Sequence, residues 1–281
     1  MPEFPTAPST LLDPPAKTGV ESGSDRTYNS RPDMKLPTLE ARLSLRERPQ
    51  ESPKLIQHCH DILWMHWSCP VETVQAALPP GLHVDTYKDK AFVGIVPQRV
   101  TGLRLGWAPP IPFMSSGIEL SVRTYVHDDQ GRPGIWFFSI DTNNSLAVTA
   151  GRSRFKLNYQ PAITDFHRIG KKLTYMAIRK GEQQQEKIFF RIRDDIPAPA
   201  EDSLEFFLTE RYLLFTSNRK RQQLFAAQFH HKPFAYAKPD VGDWQQAPFR
   251  WNGSTPFAKP PTNVLYSTGG KVEFFPLKQV S

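Results

Sequence analysis

Gly117-Ile-Glu-Leu-Ser-Val-Arg-Thr-Tyr-Val-His127 alternates without a break. In an extended chain Ile118, Leu120, Val122, Thr124 and Val126 fall on one side, and Glu119, Ser121, Arg123 and Tyr125 on the other. Period-two alternation rich in β-branched residues marks a strand with one face in a core. Residues 128–133 then read as a hairpin turn into 134–140, a strand apolar on both faces and therefore expected in the middle of a sheet.

The same texture extends outward from this pair. Before it, strands are expected at 56–67, 82–87 and 90–100. After it they are expected at 152–159, 173–180, 187–193, 212–217, 222–231, 234–238, 263–267 and 271–275, the last two joined by a hairpin turn at Gly269-Gly270. Helices are expected at 70–78 with Ser68 as cap, at 144–152 with Asn143 or Asn144 as cap, and at 203–211 with Asp202 as cap. Many strands with few short helices predict a mainly β (α+β) architecture, an antiparallel sheet closed into a barrel.

The first 53 residues differ. They carry nine of the 27 prolines, mixed with Ser, Thr, Asp and Arg, and have little apolar periodicity. Such a stretch cannot bury enough apolar surface to offset chain entropy, so residues 1–53 are expected to be a disordered tail, with a short helix over 39–48 capped by Thr38. Residues 54–281 are expected to form one domain.

The formal net charge is +7, and the tail is close to neutral, with seven basic and eight acidic residues. The body is therefore basic, which favours acidic partners. Its charge is spread rather than blocked, so a solvated surface is expected and nucleic acid is not. No run approaches the ~18 apolar residues of a membrane helix, so no membrane partner is expected. The first residues lack the pattern of a secretory signal, and Cys59 and Cys69 are too few for a disulfide framework; a reduced cytoplasmic protein is expected. Assembly into an oligomer is left open. No P-loop, dinucleotide fingerprint or nucleophile elbow is present, and no cofactor is expected.

Five spaced segments carry a resemblance. They are Leu63-Trp-Met-His66-Trp67 with Pro70 following; Leu78-Pro-Pro-Gly81 through Asp85 into Ala91-Phe-Val-Gly94-Ile-Val-Pro97; Glu119 to Tyr125 with Gly134-Ile-Trp-Phe-Phe138-Ser-Ile-Asp141; Ala147 through Gly151-Arg152 to Tyr159; and Phe207-Leu-Thr-Glu210-Arg211-Tyr212 with His231 and Pro233. In this order, over residues 54–240, they resemble the DUF2071 (YqjF-like) branch of the acetoacetate decarboxylase superfamily. The resemblance implies a cone-like β-barrel around a pocket. It also implies a comparison with the parent enzyme's lysine pair, in which one lysine lowers the pKa of its neighbour so that it can form a Schiff base. Placed on Gly151-Arg152, that pattern puts Asn158, Tyr159 and Gln160 where Pro-Lys-Lys would fall. Lys156 is the nearby lysine, without a lysine partner, so imine chemistry is not expected. Lys171-Lys172 reads as a solvated strand end.

Glu119 and Arg123 share one strand side. If that side faces a cavity, Arg123 suits bidentate capture of a carboxylate and Glu119 is the candidate acid or base. If it faces water, both are ordinary surface polarity. Arg152 is a candidate second carboxylate contact or a helix-end cap, and Asp141 a polar group at the cavity mouth or a turn residue. His66 and Tyr159 complete the candidate binding set. His58 and His60 supply too few ligands for Zn²⁺, so no metal is expected. The reading is a small-molecule pocket for an organic acid. The alternative is a non-catalytic interaction or scaffold module.

Overall fold

A computed structural model describes residues 34–110, 115–218 and 220–280. Along the chain run α1 (Leu39–Ser44), β1 (Leu55–Cys69), α2 (Val71–Ala77), β2 (Leu82–Val84), β3 (Ala91–Leu105), β4 (Gly117–Asp128), β5 (Pro133–Thr142), α3 (Ser145–Arg154) and β6 (Tyr159–Ile169). There follow β7 (Lys172–Arg179), β8 (Glu186–Ile196), α4 (Leu204–Thr209), β9 (Leu213–Ser217), β10 (Leu224–His230), β11 (Tyr236–Asp243), α5 (Ala247–Trp251), β12 (Asn263–Phe274) and β13 (Lys278–Gln279).

All the strands belong to one sheet, in the order β13-β10-β9-β5-β6-β7-β8-β11-β12-β1-β3-β4-β2, and the extra pairings β4–β5 and β10–β12 bring it back on itself. One circuit of pairings runs through β4, β5, β6, β7, β8, β11, β12, β1 and β3. A shorter one leaves β5 through β9 and β10 and rejoins at β12. The strands common to both circuits need two apolar faces. On β1, Leu63, Met65 and Trp67 enter one buried cluster while Ile62 and Trp64 enter another. The same demand explains why 134–140 is apolar on both sides. On β4, Leu120, Val122 and Val126 join the first cluster and Tyr125 the second.

Most expected elements are present, with caps at Thr38 and Asn144 as read. Several expectations need correction. Ser203, not Asp202, caps α4 by accepting from the Phe206 amide, and α2 starts after Pro70 without a side-chain cap, so Ser68 does not serve. No strand covers 152–159. Helix α3 runs on to Arg154, Lys156 takes a positive φ, and the next strand starts at Tyr159. Strand β6 escaped the reading because its polarity does not follow its pleat, with Ile163 and Ile169 in solvent. Helix α5 was not foreseen either. Gly269-Gly270 is not a hairpin turn but lies inside one continuous strand, β12, opposite His60 and Cys59. A Cβ at Gly269 would come within 2.0 Å of the Cys59 carbonyl oxygen, so that close approach requires glycine.

The N-terminal stretch also differs from expectation where it is described. Residues 34–53 lie on the sheet as a strap. Arg42 pairs with Asp85, Arg46 with Glu210 and Arg48 with Glu273. Those acids are buried and come from three separate segments, a complementarity invisible in the strap's own composition. Residues 1–33, expected to be disordered, lie outside the described residues.

Candidate functional site

Inside the shorter circuit is a cavity of about 100 Å³. Each of its seven strands contributes to the wall: Gln57, Cys59 and Trp64 from β1, Gln98 from β3, Arg123 from β4, Phe137 from β5, Leu214 from β9, Phe229 from β10 and Phe274 from β12. Thr209 and Arg211 close it from the end of α4, and His231 and Phe234 from the turn after β10. The wall is mostly apolar with several polar groups, the usual character of a small-molecule site.

The Glu119–Arg123 side of β4 therefore looks inward, with the two side chains in different roles. Opposite a bulge in β5 that leaves Phe138 as the extra residue, Arg123 lines the cavity wall. Its Nε is buried and has no hydrogen-bond partner, and no described carboxylate lies within ion-pair distance of the guanidinium. Arg123 comes within hydrogen-bonding reach of the Tyr125 hydroxyl. That hydroxyl lies 2.6 Å from Nε2 of His66, a fully buried ring against which Gly94 packs. Burial, helped by the Arg123 charge, holds the His66 imidazole well below its ordinary pKa, so it stays neutral.

Glu119 stands behind the wall. Its Oε2 accepts from the Gln98 amide at 2.8 Å and its Oε1 from the Tyr159 hydroxyl at 3.0 Å. Burial raises the Glu119 pKa, and these two hydrogen bonds oppose the rise. Tyr159 in turn lines a smaller cavity of about 30 Å³, which shares Gln57 and Phe274 with the first. A buried carboxyl with a raised pKa thus sits between two cavities, one hydrogen bond from the larger.

The remaining candidates are engaged elsewhere. Arg152 donates through Nε to the Tyr159 carbonyl at 2.7 Å and through Nη2 to Gln160, which ties the end of α3 to β6. Asp141 is wholly buried within β5 and holds Arg179 through both carboxylate oxygens, at 2.6 and 2.9 Å. Neither Arg152 nor Asp141 lines the cavity. Asn158 and Gln160, at the expected lysine positions, are spent on the Phe138 carbonyl and on each other. Lys156 is exposed, with its ammonium over the Phe225 ring. No described lysine lines either cavity. His58 and His60 stack on one another, and among the described residues no cluster of His, Cys, Asp or Glu has the makings of a metal site.

Arg211 and His231 were quoted for the resemblance but given no role, and both prove to line the cavity. The sequence offered no signal for either. Arg211 follows a helix by two residues, and His231 ends a strand that reads as an ordinary hairpin arm. Arg221, at the β9–β10 turn, donates to the Ala77 carbonyl; Arg219, the first residue of the basic run there, lies outside the described residues.

The sheet turns back on itself, as the resemblance implied, and Gly151 lines the smaller cavity. The model of the DUF2071 family, described as an uncharacterized conserved protein, matches residues 56–271. The chain belongs to the DUF2071 family. Among curated relatives, this DUF2071 protein is 36% identical over 181 residues to the uncharacterized protein YqjF of Bacillus subtilis (strain 168), covering 63% of this chain and 73% of that one. Among solved structures it resembles acetoacetate decarboxylase from Legionella pneumophila, with TM-score 0.54 and 12% identity over 83% of this chain and 92% of the other. It also resembles the enduracididine biosynthesis enzyme MppR, solved with the condensation product of pyruvate and imidazole 4-carboxaldehyde (TM-score 0.57, 10% identity, 84% and 92% covered). An acetoacetate decarboxylase-like enzyme from Sphingomonas wittichii RW1 gives 0.55 and 12%, with 82% and 94% covered. At such identities the likeness establishes a shared fold.

Proposed function

We propose that this protein holds a small organic acid in the larger cavity, with the Arg123 guanidinium on its carboxylate. The observation that carries the reading is a guanidinium in a mostly apolar wall whose buried Nε lacks a partner and which no described carboxylate neutralises. An unpaired charge next to an apolar cavity is costly, and a bound carboxylate relieves that cost. MppR, with the same fold, was solved around a molecule built from pyruvate, itself a carboxylic acid. If chemistry follows binding, Glu119 is the residue we assign to proton exchange, once the Gln98 amide moves aside. His66 and Tyr125 orient Arg123 and are not assigned to the ligand.

The reading is tested by thermal shift and calorimetry with acetate, pyruvate, acetoacetate and longer monocarboxylates, on the wild type and on Arg123→Gln. Stabilisation by a carboxylate that falls at least about tenfold in affinity in the variant supports it, since a charged hydrogen-bonded contact is typically worth ~1.5–3 kcal/mol. Equal response in both proteins refutes it. No described helix is long and apolar enough to cross a membrane. Both cysteines are free and buried, which agrees with the proposed reducing, cytoplasmic setting.

A further inference from the structure

Arg211 is a second guanidinium in the wall of the same cavity, and its hydrogen bonding is incomplete. The residue is only 3% exposed. Its Nε donates to the Phe207 carbonyl at 2.7 Å and its Nη1 to Asp85, which leaves Nη2 buried with no acceptor. Buried charged N–H groups are rarely left unmade in folded proteins.

The local charge is also unbalanced. Asp85 receives Arg42 of the strap as well as Arg211, so one carboxylate serves two guanidiniums. Arg123 adds a third with no described carboxylate in reach. Over these four groups two positive charges remain in excess. Both arginines adjoin Tyr125: Arg211 lies over its ring, 4.9 Å from the centroid, and the Arg123 charge acts on its hydroxyl. Both border a single small cavity.

We propose that the ligand is a short diacid, one carboxylate on Arg123 and the other on Nη2 of Arg211. The inference rests on the organic-acid reading and narrows it to a ligand with two anionic groups. A monoacid would leave Nη2 unsatisfied, whereas a diacid completes both guanidiniums and cancels the excess charge.

The test is calorimetry on the full chain with malonate, succinate and glutarate, each paired with its half-amide, which keeps the length and removes one charge. The expected result is a best diacid that binds at least about tenfold more tightly than its half-amide, with that ratio falling towards one in Arg211→Gln, whatever the variant's absolute affinity. If Arg211→Gln fails to fold, Arg211→Lys retains the charge facing Asp85 but loses the fork, and the ratio falls there too. Equal binding of diacid and half-amide by the wild type overturns the diacid assignment and leaves the organic-acid reading standing. A preference that persists in the Arg211 variants overturns the role of Arg211. No response to any acid overturns both readings.

Discussion

Gly151→Ala tests why the Gly-Arg segment precedes the cavity wall. A Cβ at position 151 would lie 2.2 and 2.4 Å from ring carbons of Tyr159, far inside van der Waals contact. The ring cannot simply swing away, because its hydroxyl is held by Glu119 at 3.0 Å and the backbone beside it by Arg152. Three contributions decide the sign. Overpacking costs about 1–3 kcal/mol. Losing the hydroxyl's bond to a carboxyl group costs a further ~1.5–3 kcal/mol. Against these, alanine is the better helix former by about 1 kcal/mol. The balance is a destabilisation of roughly 1.5–5 kcal/mol, or about 3–20 °C in Tm for a domain of this size. Thermal and urea unfolding of Gly151→Ala measure it. The decisive comparison is made in a Tyr159→Ala background. With the ring gone, the same substitution should reverse sign and stabilise by up to about 1 kcal/mol. If Gly151→Ala destabilises equally with and without the Tyr159 ring, the packing argument is wrong.

Further outcomes follow from buried charge. Arg179→Met strands the Asp141 carboxylate and should cost about 3–5 kcal/mol at neutral pH, most of it regained in the Asp141→Asn/Arg179→Met double variant; chemical denaturation of the three proteins checks this. Glu186 is buried, and desolvation raises its pKa to about 7 although it accepts the Gln245 and Ala247 amides. Its folded value lies above the unfolded one, so this group favours folding most below about pH 4.5, and that contribution declines as the pH rises towards 7. A carboxyl resonance from Glu186 titrating in the ordinary glutamate range would contradict this. Glu273 behaves oppositely. Hydrogen bonds from Arg48 and Lys271 hold it down at about 2, so its share of the strap's attachment is complete above about pH 4.5 and lost as the pH falls towards 2. Protease cleavage within residues 45–53 should therefore accelerate at acid pH, whereas Glu273→Gln, with no carboxylate to protonate, should be cleaved faster already at neutral pH and lose that acceleration; a wild-type rate flat across that range counts against it.

Much of the fold was legible because it is written in local pattern. The two-faced chemistry of β4, the apolar run of β5 and the oxygen-bearing caps at Thr38 and Asn144 need only nearest neighbours to be understood. Strand β6 was missed because its polarity does not follow its pleat: the half-buried side carries Ala162, Thr164 and Phe166, while Ile163 lies in solvent on the other. The Gly269-Gly270 pair was misread because glycine serves a turn and a close interstrand approach equally well, and only the partner strand separates the two uses.

The candidate site divides in the same way. Arg123 and Glu119 were legible as residues of one strand side, since alternation fixes which side chains travel together. Their separate duties came from other strands: Gln98 and Tyr159 hold Glu119 behind the wall, while Arg123 lines it. Asp141 turned away from the cavity because Arg179, 38 positions later, claims it. Arg211 entered because Asp85, 126 positions earlier, anchors it.

The sequence by itself determined most of the strands, the two sides of β4 and the family. Which polar side encloses a cavity, which guanidinium lacks a carboxylate, and how the strap's arginines are used were decided only by the tertiary structure. The reason is that charge pairing and enclosure depend on distances between residues far apart in the chain, and local pattern carries no record of those distances.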